Sequence, residues 1–261
     1  MNISLQNKTA VICGSTQGIG LAIAKELAQL GASCILLARN EEVLQKVVQS
    51  LDQSFHQNHT YHVADFSDSV QVKTVIDSVV STTPVHILIN NTGGPATGQI
   101  ADAATTAFLQ AFQQHLINNQ ILVQAILPTM KKEGYGRIIN IISTSVRIPI
   151  DNLGVSNTIR AAVASWAKSL SNEVGKFNIT VNSVLPGFTK TQRLNSLLET
   201  NAAKSGIDKS TLAATMEEAI PMKRFAEPSE IAAVVAFLAS PAASYVNGVS
   251  IPVDGGKTGT I

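Results

Sequence analysis

The stretch of this chain with the clearest chemical potential is Gly14-Ser15-Thr16-Gln17-Gly18-Ile19-Gly20. It follows a short apolar run, Thr9–Cys13. It opens a segment in which Ile19, Ile23, Leu27 and Leu30 recur at helical spacing until Gly31 closes it. Glycines between a strand and a helix let the backbone turn tightly and approach a ligand. The helix N-terminus then offers free N–H donors and the positive end of its dipole. That is the chemistry of holding a pyrophosphate, here with the spacing G-x3-G-x-G rather than G-x-G-x-x-G. Ordinary strand-to-helix turns also use glycine, so the weight of the motif comes from its placement. His56, His59 and His62 recur every third residue in the polar stretch Gln53–His62. A metal site there would need further ligands, and a solvated loop is the simpler reading, so no metal is expected. Cys13 and Cys34 are too few to staple 261 residues and read as buried thiols in a reducing compartment.

The elements that must position the turn are legible as alternation. β-rich runs occur at Thr9–Cys13, Ser33–Ala38, Thr60–Val63, His86–Ile89, Arg137–Ile142, Ile179–Leu185 and Ser250–Val253, separated by amphipathic stretches. Most of the runs are continuously apolar, as for parallel strands covered on both faces. Ile159, Val163, Trp166, Leu170 and Val174 mark one of the intervening helices. Such alternation predicts an α/β, doubly wound Rossmann-type sheet of seven parallel strands with helices on both faces. No linker divides the chain, so one domain over 1–261 is expected, with a polar helical insert over about 190–219 covering the substrate. Apolar residues make up 45% and charged residues 14%, enough apolar content for a core and too much for disorder. A net charge of +1 disfavours nucleic acid as a partner, and no run approaches the ~18 to 20 apolar residues of a membrane span. With no secretory signal at the N-terminus, a cytoplasmic protein is expected.

Further motifs stand in order: Asn90-Asn91-Thr92-Gly93 after the fourth run, Pro186-Gly187 after the sixth, and Val253-Asp254-Gly255-Gly256 near the end. With the glycine turn they make the whole chain resemble the short-chain dehydrogenase/reductase family, and within it the 3-oxoacyl-acyl-carrier-protein reductase-like group. The resemblance implies a nicotinamide dinucleotide on a Rossmann sheet and hydride transfer between nicotinamide and a carbonyl or alcohol. It implies that Gly14, Ser15, Gln17, Gly18, Ile19 and Gly20 cradle the phosphates, and that Asp65 and Phe66 contact adenine. Asn91, Thr92 and Gly93 would wall the ribose, while Pro186, Gly187, Thr189 and Thr191 would hold the nicotinamide carboxamide. Cys13 and Thr92 stand where the family has Thr and Ala, a change expected to affect packing more than binding. At the end of the second run the chain reads Arg39-Asn40, the two candidate coenzyme contacts there, with no acid until Glu41. An acid there would bind the ribose 2′-hydroxyl of NAD and repel a 2′-phosphate, whereas Arg39 suits the phosphate. NADP(H) is therefore expected over NAD(H), against the alternative of a solvated Arg39 paired with Glu41 or Glu42.

At the catalytic positions the pattern departs. The family uses a Ser, a Tyr as general acid or base, a Lys four residues after it, and an Asn on an earlier helix. Aligned on Gly136-Arg137-Ile138-Ile139-Asn140, these fall on Ser143, Ser156, Arg160 and His115. Arg160 keeps a positive charge one helical turn from position 156 and could also bind the nicotinamide ribose. An aliphatic hydroxyl at 156 is far too weak an acid to replace a phenol. His115 reads either as a replacement proton donor or, preferably, as a polar residue on an apolar helix; Ser143 could be a plain strand-end hydroxyl. The implied function is an NADP-dependent carbonyl reductase acting on a small or acyl-thioester carbonyl. The alternative is an inactive NADPH-binding sensor or assembly protein. By resemblance a homotetramer or homodimer is expected, through the helices over Thr105–Met130 and Leu153–Val174.

Overall fold

The computed structural model describes residues 1–259; the last two residues of the expected domain lie outside the described ones. The seven runs form seven strands: β1 (Thr9–Cys13), β2 (Ser33–Ala38), β3 (Thr60–Val63), β4 (Ile87–Asn90), β5 (Gly136–Ile141), β6 (Ile179–Pro186) and β7 (Ser250–Val253). They make one sheet in the order β3-β2-β1-β4-β5-β6-β7, with every pair of neighbours parallel. The strand order reverses between β1 and β4, opening a crevice at their carboxyl ends where ligands bind in such sheets. β4 starts one residue later than the apolar run, though the His86 backbone already bonds Thr9 O and the Arg137 N–H, and its side chain faces β1. Its Nδ1 accepts from the Thr9 backbone N–H at 3.0 Å.

Alternating residues along each strand feed two cores. Ala10, Ile12, Cys34 and Leu36 pack with α1 (Gly18–Gln29), α2 (Glu41–Ser50) and α9 (Pro228–Ala239) on one face. Val11, Cys13, Ile35 and Leu37 pack on the other face with α3 (Ser69–Thr82), α5 (Asn118–Glu133) and α6 (Gly154–Val174). Each buried Leu or Ile side chain stabilises the layer by roughly 1.5–3 kcal/mol. Among the described residues no helix is long and apolar enough to cross a membrane.

Two features outside the layers bear on the site. The helix expected over Thr105–Met130 is interrupted: α4 (Thr105–Phe112) passes through a single π turn, Gln113–Ile117, before continuing as α5. The insert forms α7 (Gln192–Ser205) and α8 (Lys209–Glu218), with Leu194, Leu198, Ile220 and Phe225 as its own small core.

Candidate active site

The glycine turn has the geometry that anion binding needs. Gly14 and Gly18 adopt φ of 59° and 55°, which L side chains rarely take, and a Cβ at Gly14 or Gly20 would collide with the chain around them. No side chain caps the N-terminus of α1 and no acid sits in its first turn, so its N–H donors and dipole are available. The Ser15 hydroxyl is buried with no partner. Asn91 acts on the turn itself, its Nδ2 donating to the carbonyls of Cys13 at 3.2 Å and Gly14 at 3.1 Å. A buried donor-rich turn with an unsatisfied hydroxyl fits a dinucleotide pyrophosphate. Opposite it, Thr191 caps α7 through the Leu194 N–H and packs within 3.1 Å of where a Gly18 Cβ would stand. Thr189 is buried with its hydroxyl donating to Gly187 O, and Pro186 ends β6. A groove of about 650 Å³, lined in part by Gln17, Gly18, Lys25, Thr191 and Leu194, lies between α1 and α7 beside this turn and is not lined by His115.

At the end of β2, Arg39 is exposed, and neither Glu41 nor Glu42 pairs with it among the described residues. Its charge, after the hydrogen bonds from Ser67, helps hold the Asp65 carboxyl below the usual range. Asn40, grouped with Arg39 from sequence, also caps the helix that follows. Its Oδ1 accepts the Val43 N–H at 3.0 Å and caps α2. Phe66 packs against the core on the α3 face, and its carbonyl accepts from Asn118 Nδ2 at 2.7 Å.

The four positions implied as catalytic come from three parts of the fold. His115 lies in the π turn, Ser143 follows β5, and Ser156 and Arg160 occupy consecutive turns of α6. His115 is 3% exposed; its Nδ1 bonds the Thr92 hydroxyl at 2.7 Å and its Nε2 is buried without a partner. Burial, followed by the charges of Arg160 and Arg193, pushes its pKa down to about 3, so the imidazole is neutral at physiological pH. Arg160 is buried and donates from Nη1 to Ile141 O at 2.7 Å. Burial, with Arg193 adding, brings its pKa down to about 10, still protonated near neutrality. Ser143 Oγ accepts the Ser145 N–H and caps the short turn Thr144–Val146, the strand-end role the sequence left open. Ser156 is buried on α6, one turn before Arg160.

The tyrosines are elsewhere. Tyr135 donates to Ala239 O, Tyr61 bonds Glu41 from β3, and Tyr245 is fully exposed. Cys13 and Cys34 are buried thiols pushed up to about 12 by desolvation. His59 is spanned between the Cys34 N–H and Asp52 O. Among the described residues no histidine cluster forms a metal site.

A family model described as enoyl-(acyl carrier protein) reductase matches residues 14–258. The NADPH-dependent reductase BacG of Bacillus subtilis is 30% identical over 98% of this chain and the whole of that protein. This chain is a short-chain dehydrogenase/reductase. Among solved structures, L-sorbose reductase from Gluconobacter frateurii, complexed with NADPH and L-sorbose, superposes with a TM-score of 0.93 at 32% identity, both chains covered in full. The actinorhodin polyketide ketoreductase with NADPH superposes at 0.90 with 28% identity, covering 97% of this chain and 98% of that one.

Within this short-chain dehydrogenase/reductase, three features escaped the sequence. Thr92, expected to affect packing, also bonds the imidazole of His115, so the two positions form a bonded pair. Ser145 carries a buried hydroxyl without a partner, and no spacing distinguished it from its serine and threonine neighbours. Arg193 bridges from α7 to the loop after β4, donating to Gly94 O and Pro95 O. The only sequence signal for it was its position two residues after Thr191, itself singled out.

Proposed function

We propose that this short-chain dehydrogenase/reductase binds NADP(H) and interconverts a carbonyl and an alcohol with His115, rather than a tyrosine, facing the reacting oxygen. The observation that carries this is the His115 imidazole: buried, held at Nδ1 by Thr92, and left with an unpartnered Nε2 in the field of Arg160. NADPH-dependent relatives along the full chain, the open N-terminus of α1 and the unpaired Arg39 support the coenzyme. When bound, the dinucleotide supplies a hydride from its nicotinamide ring. Gly14, Ser15, Gln17, Gly18, Ile19 and Gly20 would hold its phosphates, and Arg39 the 2′-phosphate. Asp65, Phe66, Asn91, Thr92 and Gly93 would border the adenosine, and Pro186, Gly187, Thr189 and Thr191 the nicotinamide.

The chain's own residues then act on the substrate oxygen. With the Thr92 hydroxyl donating to Nδ1, the proton of the neutral imidazole sits on Nε2 and hydrogen-bonds the substrate oxygen as negative charge builds there, and the alkoxide then takes its proton from water. Leaving Nε2 without a partner costs roughly 1–3 kcal/mol, a cost removed when that oxygen arrives. Arg160 stabilises the same charge in a site where burial keeps water from screening it. Ser143 and Ser156 offer hydroxyl donors around it, and the short side chain at 156 leaves room a tyrosine would fill.

The test is consumption of NADPH against a panel of ketones and acyl-thioester carbonyls, in the parent and in His115→Ala. Turnover in the parent that falls about 10²–10³-fold in the variant supports the reading. NADPH binding without turnover on any substrate moves the weight to a sensor or assembly role, which the missing phenol favours. For assembly we propose a homodimer or homotetramer through α4, α5 and α6, since α4 carries Leu109 and Phe112 exposed on its surface.

A further inference from the structure

The site holds more positive charge than its own residues balance. Arg160 is 9% exposed and has a carbonyl, not a carboxylate, as its partner. Arg193 reaches over from α7 and also meets only carbonyls, donating Nη1 to Gly94 O at 2.9 Å and Nη2 to Pro95 O at 3.1 Å. The five ion pairs among the described residues involve neither. Gly94 and Pro95 stand two and three residues after Thr92, whose hydroxyl bonds the His115 imidazole, so one loop joins Arg193 to that centre. Gly94 makes the approach possible, because a Cβ there would stand 2.8 Å from Nη2 and 2.9 Å from Cζ of Arg193. A planar fork presented to two neutral carbonyls on a loop is a fork whose better partner is a carboxylate. Charge-assisted, bidentate bonds are roughly twice as strong as neutral ones. The dinucleotide's own phosphates have their donors in the glycine turn and at Arg39.

Resting on the reductase reading above, we propose that the carbonyl substrate carries a carboxylate, and that Arg193 is the residue that recognises it. Arg193 would exchange Gly94 O and Pro95 O for the substrate's two oxygens, while Arg160 and His115 address the carbonyl. The arrangement selects oxo acids over neutral ketones and esters, because only a carboxylate replaces the two neutral carbonyls at the exposed Arg193 with charge-assisted bonds.

The experiment compares an oxo acid with its methyl ester and its primary amide, using the full chain with NADPH, in the parent, Arg193→Met and Arg193→Lys. The expected parent preference is about 10- to 100-fold in kcat/KM for the acid, the size of a charge-assisted hydrogen bond. That ratio should collapse in Arg193→Met and recover in part in Arg193→Lys, with NADPH affinity, read from nicotinamide fluorescence, within about twofold of the parent. A parent that prefers the ester, or an acid-to-ester ratio unchanged in Arg193→Met, overturns the proposal. A tenfold loss of NADPH affinity in Arg193→Met with the ratio intact would assign Arg193 to the coenzyme's phosphates instead. If no substrate turns over, the reductase reading fails separately. Calorimetric binding of the oxo acid and its ester to the NADP⁺ complex then decides: acid binding lost in Arg193→Met supports carboxylate recognition, and equal or absent binding of the two overturns it.

Discussion

Thr92 and His115 work as one unit. The Thr92 hydroxyl bonds Nδ1 of the His115 imidazole at 2.7 Å and orients the ring. Thr92→Val keeps the volume and removes the bond, so it should lower kcat with little change in NADPH affinity. Combined with His115→Asn it should add little further loss, because both variants break the same interaction. Burial also links His115 to stability. Its folded pKa of about 3 lies below the unfolded value near 6.5, so between these values the unfolded chain binds the extra proton. Stability is then fully present above about pH 6.5 and falls as pH drops towards 3, by up to about 1.4 kcal/mol per pH unit from this residue. His115→Asn should flatten that part of the curve by the same slope, measured by urea unfolding of the coenzyme-free protein at several pH values.

Neighbouring residues at an element boundary carry different roles. Arg39 follows β2 with an unpaired charge while Asn40 caps α2. Arg39→Asp should reverse the preference for NADPH over NADH, by removing a donor and adding repulsion, and titration of both coenzymes checks it. Asn40→Ala should leave the preference in place and cost about 1 kcal/mol of stability, the usual value of an N-cap, read in denaturant. The strands were legible to within a residue or so at each end because apolar continuity is a local property. The π turn was not, since Gln113–Ile117 differs from a regular helix only in hydrogen-bond pairing, and the same apolar spacing serves both. The cap at Asn40 follows a recognised local pattern, an Asn just before Glu41 and Glu42, a role that grouping Asn40 with Arg39 from sequence left unassigned.

For the molecule as a whole, exposed apolar side chains on α4 matter most. Leu109 is 71% and Phe112 41% exposed, on the helix that leads into the His115 turn. A dimer or tetramer is expected by light scattering at micromolar concentration, and Leu109→Arg should shift it towards smaller species. If assembly braces α4, the same variant should also weaken turnover, because the π turn that holds His115 continues directly from Phe112.

By itself the sequence determined the seven-stranded parallel fold and the phosphate turn, because strand hydrophobicity, helix spacing and glycine conformation are written in neighbouring residues. By resemblance it also singled out positions 115, 143, 156 and 160 as candidate site residues, with Ser143 matching the family's serine and the other three read as departures. Only the tertiary structure decided that Thr92 grips His115, that burial and two guanidinium groups keep that imidazole neutral, and that Arg193 spans from α7 to Gly94 and Pro95. These contacts join residues 23 and about 100 positions apart. Their energies come from shared burial and through-space charge, which no local run of amino acids encodes.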